Sequence, residues 1–407
     1  MVLRPKWLPA ARRTAISAFD GNRLHPFSIS FLVTGAKGLA VRGMTRRAML
    51  AALPACLAGQ ATRPKAKPLP TVGEFLRFVD PTTETLVVRL TSLKSANFLP
   101  APTNRFVSVK ERYLLFSSDR NGPLAPFQVD LRTGIVHQLA SAVNLSPDSL
   151  CLDPKERWVY FLDGGRLKRV EVGKKELKRQ AEAVADDVGS FSIAQGGAIF
   201  LIRSSGQSQR VENGETINLA DAASPNGQTC LAQPHGGGCL FVRMASSRRE
   251  LWYASGNPSG AKPVLLAKGG VSSPCWSPDG QSLLFLRDTV TPTATLAEIH
   301  QVGLDGTGER CVAPTSQFAS FSANFDGSVF VGASRSKAQP NVVLLLRSAK
   351  RELTLCQHHS SHPGTVSPAF SPDARRVYFQ SDEEGKAAIY SVNVELLVEP
   401  PGEDSEG

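Results

Sequence analysis

Short apolar runs rich in β-branched and aromatic residues recur along most of the chain, each bounded by polar turn residues. They are "YLLFSSD" from Tyr113, "WVYFLDG" from Trp158, "AIFLIR" from Ala198, "CLFVRM" from Cys239, "LLFLRD" from Leu283, "VFVGAS" from Val329 and "VYFQSD" from Val377. Successive runs start 45, 40, 41, 44, 46 and 48 residues apart. Runs this short, with turn signals at both ends, read as strands covered on both faces. Seven units at a near-constant period, with no helical periodicity between them, predict an all-β chain: a seven-bladed β-propeller of four-stranded blades. An eight-bladed ring or a two-sheet sandwich is the alternative, and the regular period disfavours both.

Two stretches show how a blade is assembled. "CWSPDGQSLLFLRD" and "AFSPDARRVYFQSD" each pass from one strand through a Ser-Pro-Asp turn into a second, apolar strand. Pro presets φ for the turn, Asp bonds its own backbone, and Gly280 tolerates positive φ. "FSANFDGSVFVGAS" and "CLDPKERWVYFLDG" are weaker copies. The last unit ends at "AAIYSVNV" without an outer strand, while "RFVDPTTETLVVRLT" from Arg77 reads like a spare copy of "FQVDLRTGIVHQLA" from Phe127. The N-terminal strand is therefore expected to complete the last blade and close the ring, which hides open sheet edges. One propeller domain over 71–398 follows, after a linker over 62–70 and before an acidic, Pro/Gly-rich tail over 399–407.

Charge changes the picture at one end. The formal net charge is +10, the value of a nucleic-acid binder were it spread over the surface. Twelve Lys/Arg against the single acid Asp20 fall in residues 1–70, leaving 34 basic and 35 acidic residues to the body. A nucleic-acid partner is thereby excluded from the expectations. The basic segment reads as an export signal over 44–61: Arg46 and Arg47, an apolar run from Ala48 to Ala58, then small residues. That run is too short to span a bilayer. "TRR" is similar to a twin-arginine signal, and Leu53-Pro54-Ala55-Cys56 to a lipoprotein box that would anchor Cys56, with Pro54 a departure. Met44 then reads as the start and 1–43 as an upstream over-extension; a disordered tail is the plainer reading. A periplasmic or otherwise exported protein follows, with no transmembrane span and a lipid anchor as an option. Of the later cysteines, Cys230 and Cys239 are candidates to bridge neighbouring strands, and none has zinc-ligand spacing.

Candidate chemistry concentrates in "LCQHHSSHPGTVSPAFSPD", where His358, His359 and His362 stand within five residues. The Ser-Pro-Asp-Gly units resemble TolB-like and WD40-like propellers. Three longer stretches, "YLLFSSDRNGPLAPFQVDLRTGIVHQLA", "FASFSANFDGSVFVGAS" and "HHSSHPGTVSPAFSPDARRVYFQSDEEGKAAIYSVNV", resemble the oligogalacturonate lyases, seven-bladed propellers of pectin breakdown. The resemblance spans roughly Phe75 to Val394; from Gly173 to Gly270 it holds only as generic strands. It implies a channel site in which three histidines and a glutamine hold a manganese-type ion. A further histidine removes the proton α to a uronate carboxylate before β-elimination.

Carried over residue by residue, the ligand positions hold Ser320, Thr365 and Ser367, and the base position holds Ser273. Hydroxyls are poor ligands and poor bases at neutral pH. No cofactor is therefore expected, and Mn²⁺ only if lyase activity is retained. His359, His362 and Arg120 are the catalytic candidates; His358, His359, His362, Arg120 and Asp119 are the binding candidates. Three functions stay open: a degenerate propeller binding a carbohydrate or protein, an active lyase, and a TolB-like envelope interaction propeller. The partner is accordingly an acidic oligosaccharide or an envelope protein. His137 and His300 read as surface or edge residues and His235 as part of a Gly-rich turn.

Overall fold

The computed structural model describes residues 73–172, 180–221, 229–256, 262–290, 295–315 and 317–397. The expected signal, linker and acidic tail lie outside the described residues. Seven antiparallel sheets form, six of them each from four consecutive strands in chain order. Blade 5 is representative: Val271–Trp276, Ser282–Val290, Thr295–Gly303 and Arg310–Pro314. The repeat read from the sequence is the second strand of every blade. Leu114, Val159, Leu240, Phe285, Phe330 and Val377 on those strands have no accessible surface. Each sheet is thus covered on both faces by its neighbours, and burying one such side chain contributes about 1.5–3 kcal/mol.

The turn between first and second strands uses one hydrogen-bond device in five blades. A polar side chain accepts the amide five residues on: Ser277 from Ser282 at 3.0 Å, Ser371 from Arg376 at 3.0 Å, Asn324 from Val329 at 3.1 Å, Asp153 from Trp158 at 2.6 Å and Ser108 from Tyr113 at 3.2 Å. The left-handed residue inside the turn is Gly280 in blade 5, but Ala374 in blade 7, at φ 59°. The weaker sequence copies therefore fold by the same local chemistry.

The N-terminal segment closes the ring, with one difference. It enters the last blade as a hairpin, Leu76–Val79 and Leu86–Arg89, so that sheet has five strands where four were expected. Leu86–Arg89 pairs with the third strand, Ala388–Asn393, and Leu76–Val79 lies outside it. The likeness to the hairpin of blade 1 extends to the turn. Asp80 Oδ1 accepts the Thr83 amide and hydroxyl, as Asp130 Oδ1 does from Thr133. Because Ala388–Asn393 already supplies the third strand, a two-stranded copy necessarily adds one strand too many.

All described cysteines are free, including Cys230 and Cys239. Their strands pair Cys230 with Phe241 and Cys239 with Ala232, so the two stand diagonally rather than opposite. Among the described residues no helix is long and apolar enough to cross a membrane.

Candidate functional site

Two cavities open along the ring. One, of about 460 Å³, lies at the Ser-Pro-Asp turn end, where Leu152, Ser192, Ala232, Trp276, Ser322 and Phe370 from six first strands converge. Exposed His235 is on its rim. The second, of about 760 Å³, lies between the first and last blades, with Phe98 and Leu99 against His362, Thr365, Ser367 and Asp382.

The histidine cluster separates on folding. His358 is 1% exposed, so it is a buried residue and not the binding residue expected from the sequence. Its Nε2 donates to the Ser334 carbonyl at 3.0 Å, and its Nδ1 accepts the Ser360 amide at 3.0 Å. Both ring nitrogens are thereby committed to fixing the loop. Burial pushes its pKa below the usual value, opposed by the Ser334 bond. Folding therefore favours the neutral ring: the stability it brings is complete above about pH 6.5 and is lost as pH falls below that toward the lowered native value. The stability advantage of the wild type over His358→Gln, from urea midpoints, should narrow between pH 7.5 and 5; an unchanged gap would mean His358 titrates alike in both states.

His359 and His362 stay accessible. His359 sits at φ 43° with its Nε2 4.0 Å from Glu383 Oε1. His362 faces the larger cavity, its Nδ1 2.7 Å from Ser361 Oγ and 3.7 Å from Asp382 Oδ2. Burial works to raise the Asp382 pKa, but hydrogen bonds from the side chain and amide of Ser361 and the hydroxyl of Ser360 outweigh it and hold the carboxyl at about 2. The result is an ionised carboxylate beside an exposed imidazole at the cavity mouth.

Arg120, expected among the catalytic and binding residues, is instead a structural lock. Its Nη1 bonds Glu74 Oε1 at 2.9 Å, with the two side chains 10% and 7% exposed. Nη2 donates to Asn97 Oδ1 and Nε to Ser118 Oγ, while the guanidinium lies over Phe116 and Phe127. Few donors remain for a ligand. Asp119 is exposed, but its Oδ1 caps the Ala96 amide at 2.9 Å, which is turn chemistry.

Three of the four hydroxyl positions stand on irregular backbone, and the fourth, Thr365, ends the 3-10 turn Pro363–Thr365. Ser273 and Ser367 are left-handed, at φ 47° and 48°. The first strands of blades 5 and 6 bulge between Ser272 and Cys275 and between Phe318 and Ser320. Bulges of this kind re-aim side chains and are frequent beside functional sites. Ser320 Oγ is buried and has no hydrogen-bond partner among the described residues. Thr365 Oγ1 donates to the His362 carbonyl at 2.9 Å. Sequence reasoning located these positions; the bulges and the orphaned hydroxyl carry no one-dimensional signal.

No sequence-family model and no curated protein matches the chain. Among solved structures it is similar to an oligogalacturonate lyase in complex with manganese, at 18% identity over 81% of this chain and 98% of that one, TM-score 0.67. It is likewise similar to oligogalacturonate lyase from Vibrio parahaemolyticus, at 20% identity over 81% and 99%, TM-score 0.66. Hydrazine synthase of Kuenenia stuttgartiensis follows at 12% over 72% and 95%, TM-score 0.52. At these identities the likeness is one of fold, and it agrees with the propeller read from the repeat.

Proposed function

We propose that this exported propeller binds an acidic oligosaccharide without a metal ion, at the cavity between its first and last blades. The observation that carries the reading is the chemistry of Thr365 and Ser367, which line that cavity, together with Ser273 and Ser320 outside it. Ser273 and Ser367 stand on left-handed backbone, Ser320 at a bulge and Thr365 in a 3-10 turn, yet all four offer hydroxyls where the resemblance implies imidazoles. Manganese, which one of the similar lyases holds, does not fit a set of neutral hydroxyls, because such oxygens ligate divalent ions weakly. Hydroxyls do suit sugar hydroxyls, and Thr365 and Ser367 both line this cavity. A volume of about 760 Å³ is in the range of small-ligand sites, with apolar Phe98 and Leu99 for a sugar face and Lys386 for a carboxylate.

The test is calorimetric titration with oligogalacturonates of two to four residues, in chelator and again in manganese. Equal binding in both, with no unsaturated keto-acid product, is the expected result; absence of uronate binding would transfer the cavity to a protein partner. Ser320→Ala separates stability from binding. Removing this buried unpaired hydroxyl, which lies outside the cavity lining, should stabilise the fold by about 1 kcal/mol and leave binding unchanged. A second reading, the active lyase, is favoured by one pair: His362 beside ionised Asp382 is arranged as a base could be. Turnover abolished by His362→Ala would establish it against the binding reading.

A further inference from the structure

On the outer half of blade 5, well away from both cavities, three side chains of metal-binding type meet on one sheet face. Glu298 and His300 are two residues apart on the third strand, and so point the same way. Cys311 on the outermost strand stands opposite His300. It does so because of a bulge: Ile299 pairs with Ala313, and the register then skips Val312 to set His300 against Cys311. In regular pairing Cys311 would oppose Gln301 and lie on the other face. One ligand atom from each of Glu298, His300 and Cys311 lies within 4.8 Å of the others.

The surroundings hold these groups in orientations useful to an ion. His300 Nδ1 is 2.9 Å from Glu309 Oε1, and Arg287 grips Glu309 through Nε and Nη2 at 2.5 and 2.7 Å. With Nδ1–H donated to that carboxylate, the Nε2 lone pair faces Glu298 Oε2 at 3.5 Å. Thr289 Oγ1 steadies the same Glu298 oxygen at 3.0 Å. Two ligands at about 2.0–2.2 Å from a tetrahedral ion are roughly 3.4 Å apart, so the imidazole and carboxylate already have the needed spacing. A carboxylate behind a ligating imidazole is the usual orienting arrangement of zinc sites. Cys311 is exposed, which leaves an approach from solvent.

We propose that Glu298, His300 and Cys311 bind a zinc-class transition-metal ion, with Glu309 as the positioning residue for His300 and a fourth coordination position open. Thiolate, imidazole and carboxylate together select zinc or cobalt over magnesium or calcium, which take all-oxygen sets. The ion would tie the outermost strand of blade 5 to its neighbour. This inference is independent of what the cavities bind.

The full chain, stripped with chelator, should take up one equivalent of Co²⁺ with a near-ultraviolet thiolate-to-cobalt band and the visible bands of tetrahedral coordination, and Zn²⁺ should displace it. Cys311→Ser should abolish the near-ultraviolet band. Glu309→Gln should weaken affinity about 10–100-fold while keeping the band, as loss of an orienting carboxylate does. Zinc should also raise the thermal midpoint of the wild type and not of Cys311→Ser, a readout that survives poor expression of one variant. A wild type without the band, a band that persists in Cys311→Ser, or a Glu309→Gln protein of undiminished affinity would each overturn the proposal and leave His300 as a hydrogen-bonding link between Glu298 and Glu309.

Discussion

Truncating Arg120 to alanine is expected to lower the stability of the propeller by roughly 3–5 kcal/mol, the cost of stranding one member of a buried ion pair. Glu74, 7% exposed in the intact pair, would keep its bond to the Ser92 amide but lose its counter-ion. Asn97 Oδ1 would lose a charged donor as well, and Phe116 and Phe127 the guanidinium stacked on them. A surface arginine serving a ligand would instead leave stability within about 0.5 kcal/mol and abolish binding. Urea unfolding at constant m-value measures the difference. The double variant Glu74→Leu with Arg120→Met should recover more than half of the loss, because apolar replacement of both partners removes the stranded charge. A single variant as stable as the wild type would return Arg120 to the binding candidates.

Arg120 shows where a one-dimensional reading reaches its limit. Its position after an apolar strand, in "SSDRNG", fits a blade-end loop equally well whether the side chain faces a ligand or turns back into the core. What decides is Glu74, 46 residues earlier, delivered by a hairpin whose pairing partner lies at the far end of the chain. The repeat itself was legible because each blade needs the same apolar second strand, and five of them use the same capped turn before it, so the period of the strand is written locally seven times. The histidines were legible as a cluster but not as three separate residues. His358 is drawn inward by the Ser334 carbonyl of blade 6, and His362 is left at the cavity mouth. The group around His300 was illegible for a similar reason: a one-residue bulge, which no periodicity announces, moves Cys311 to its face.

A chain lacking residues 73–91 is expected to lose cooperative folding altogether. Without the hairpin, Ala388–Asn393 becomes the edge of its sheet. Ala388 through Val392 are all buried, so the deletion would expose an apolar strand with unpaired amides and carbonyls. Val87 and Leu90, 2% and 3% exposed, would remove about 1.5–3 kcal/mol of burial each. The pairs of Val87 with Val392 and Val88 with Ser391 go with them, as does the Glu74–Arg120 ion pair. Asp80 Oδ2 also accepts the Gln357 amide and Thr83 donates to the Leu355 carbonyl, so blade 6 is released as well. Together these losses match the 5–15 kcal/mol that a domain has in total. The expected observation is aggregated material on size exclusion and no unfolding transition. A synthetic peptide of residues 73–93 added during refolding should restore a monomer, because the missing strand binds its open edge from outside. A truncated chain that stays monomeric and unfolds in one step near the wild-type midpoint would mean the ring holds without its closure, and that the stability lies in the seven sheets rather than in the join between the two ends of the chain.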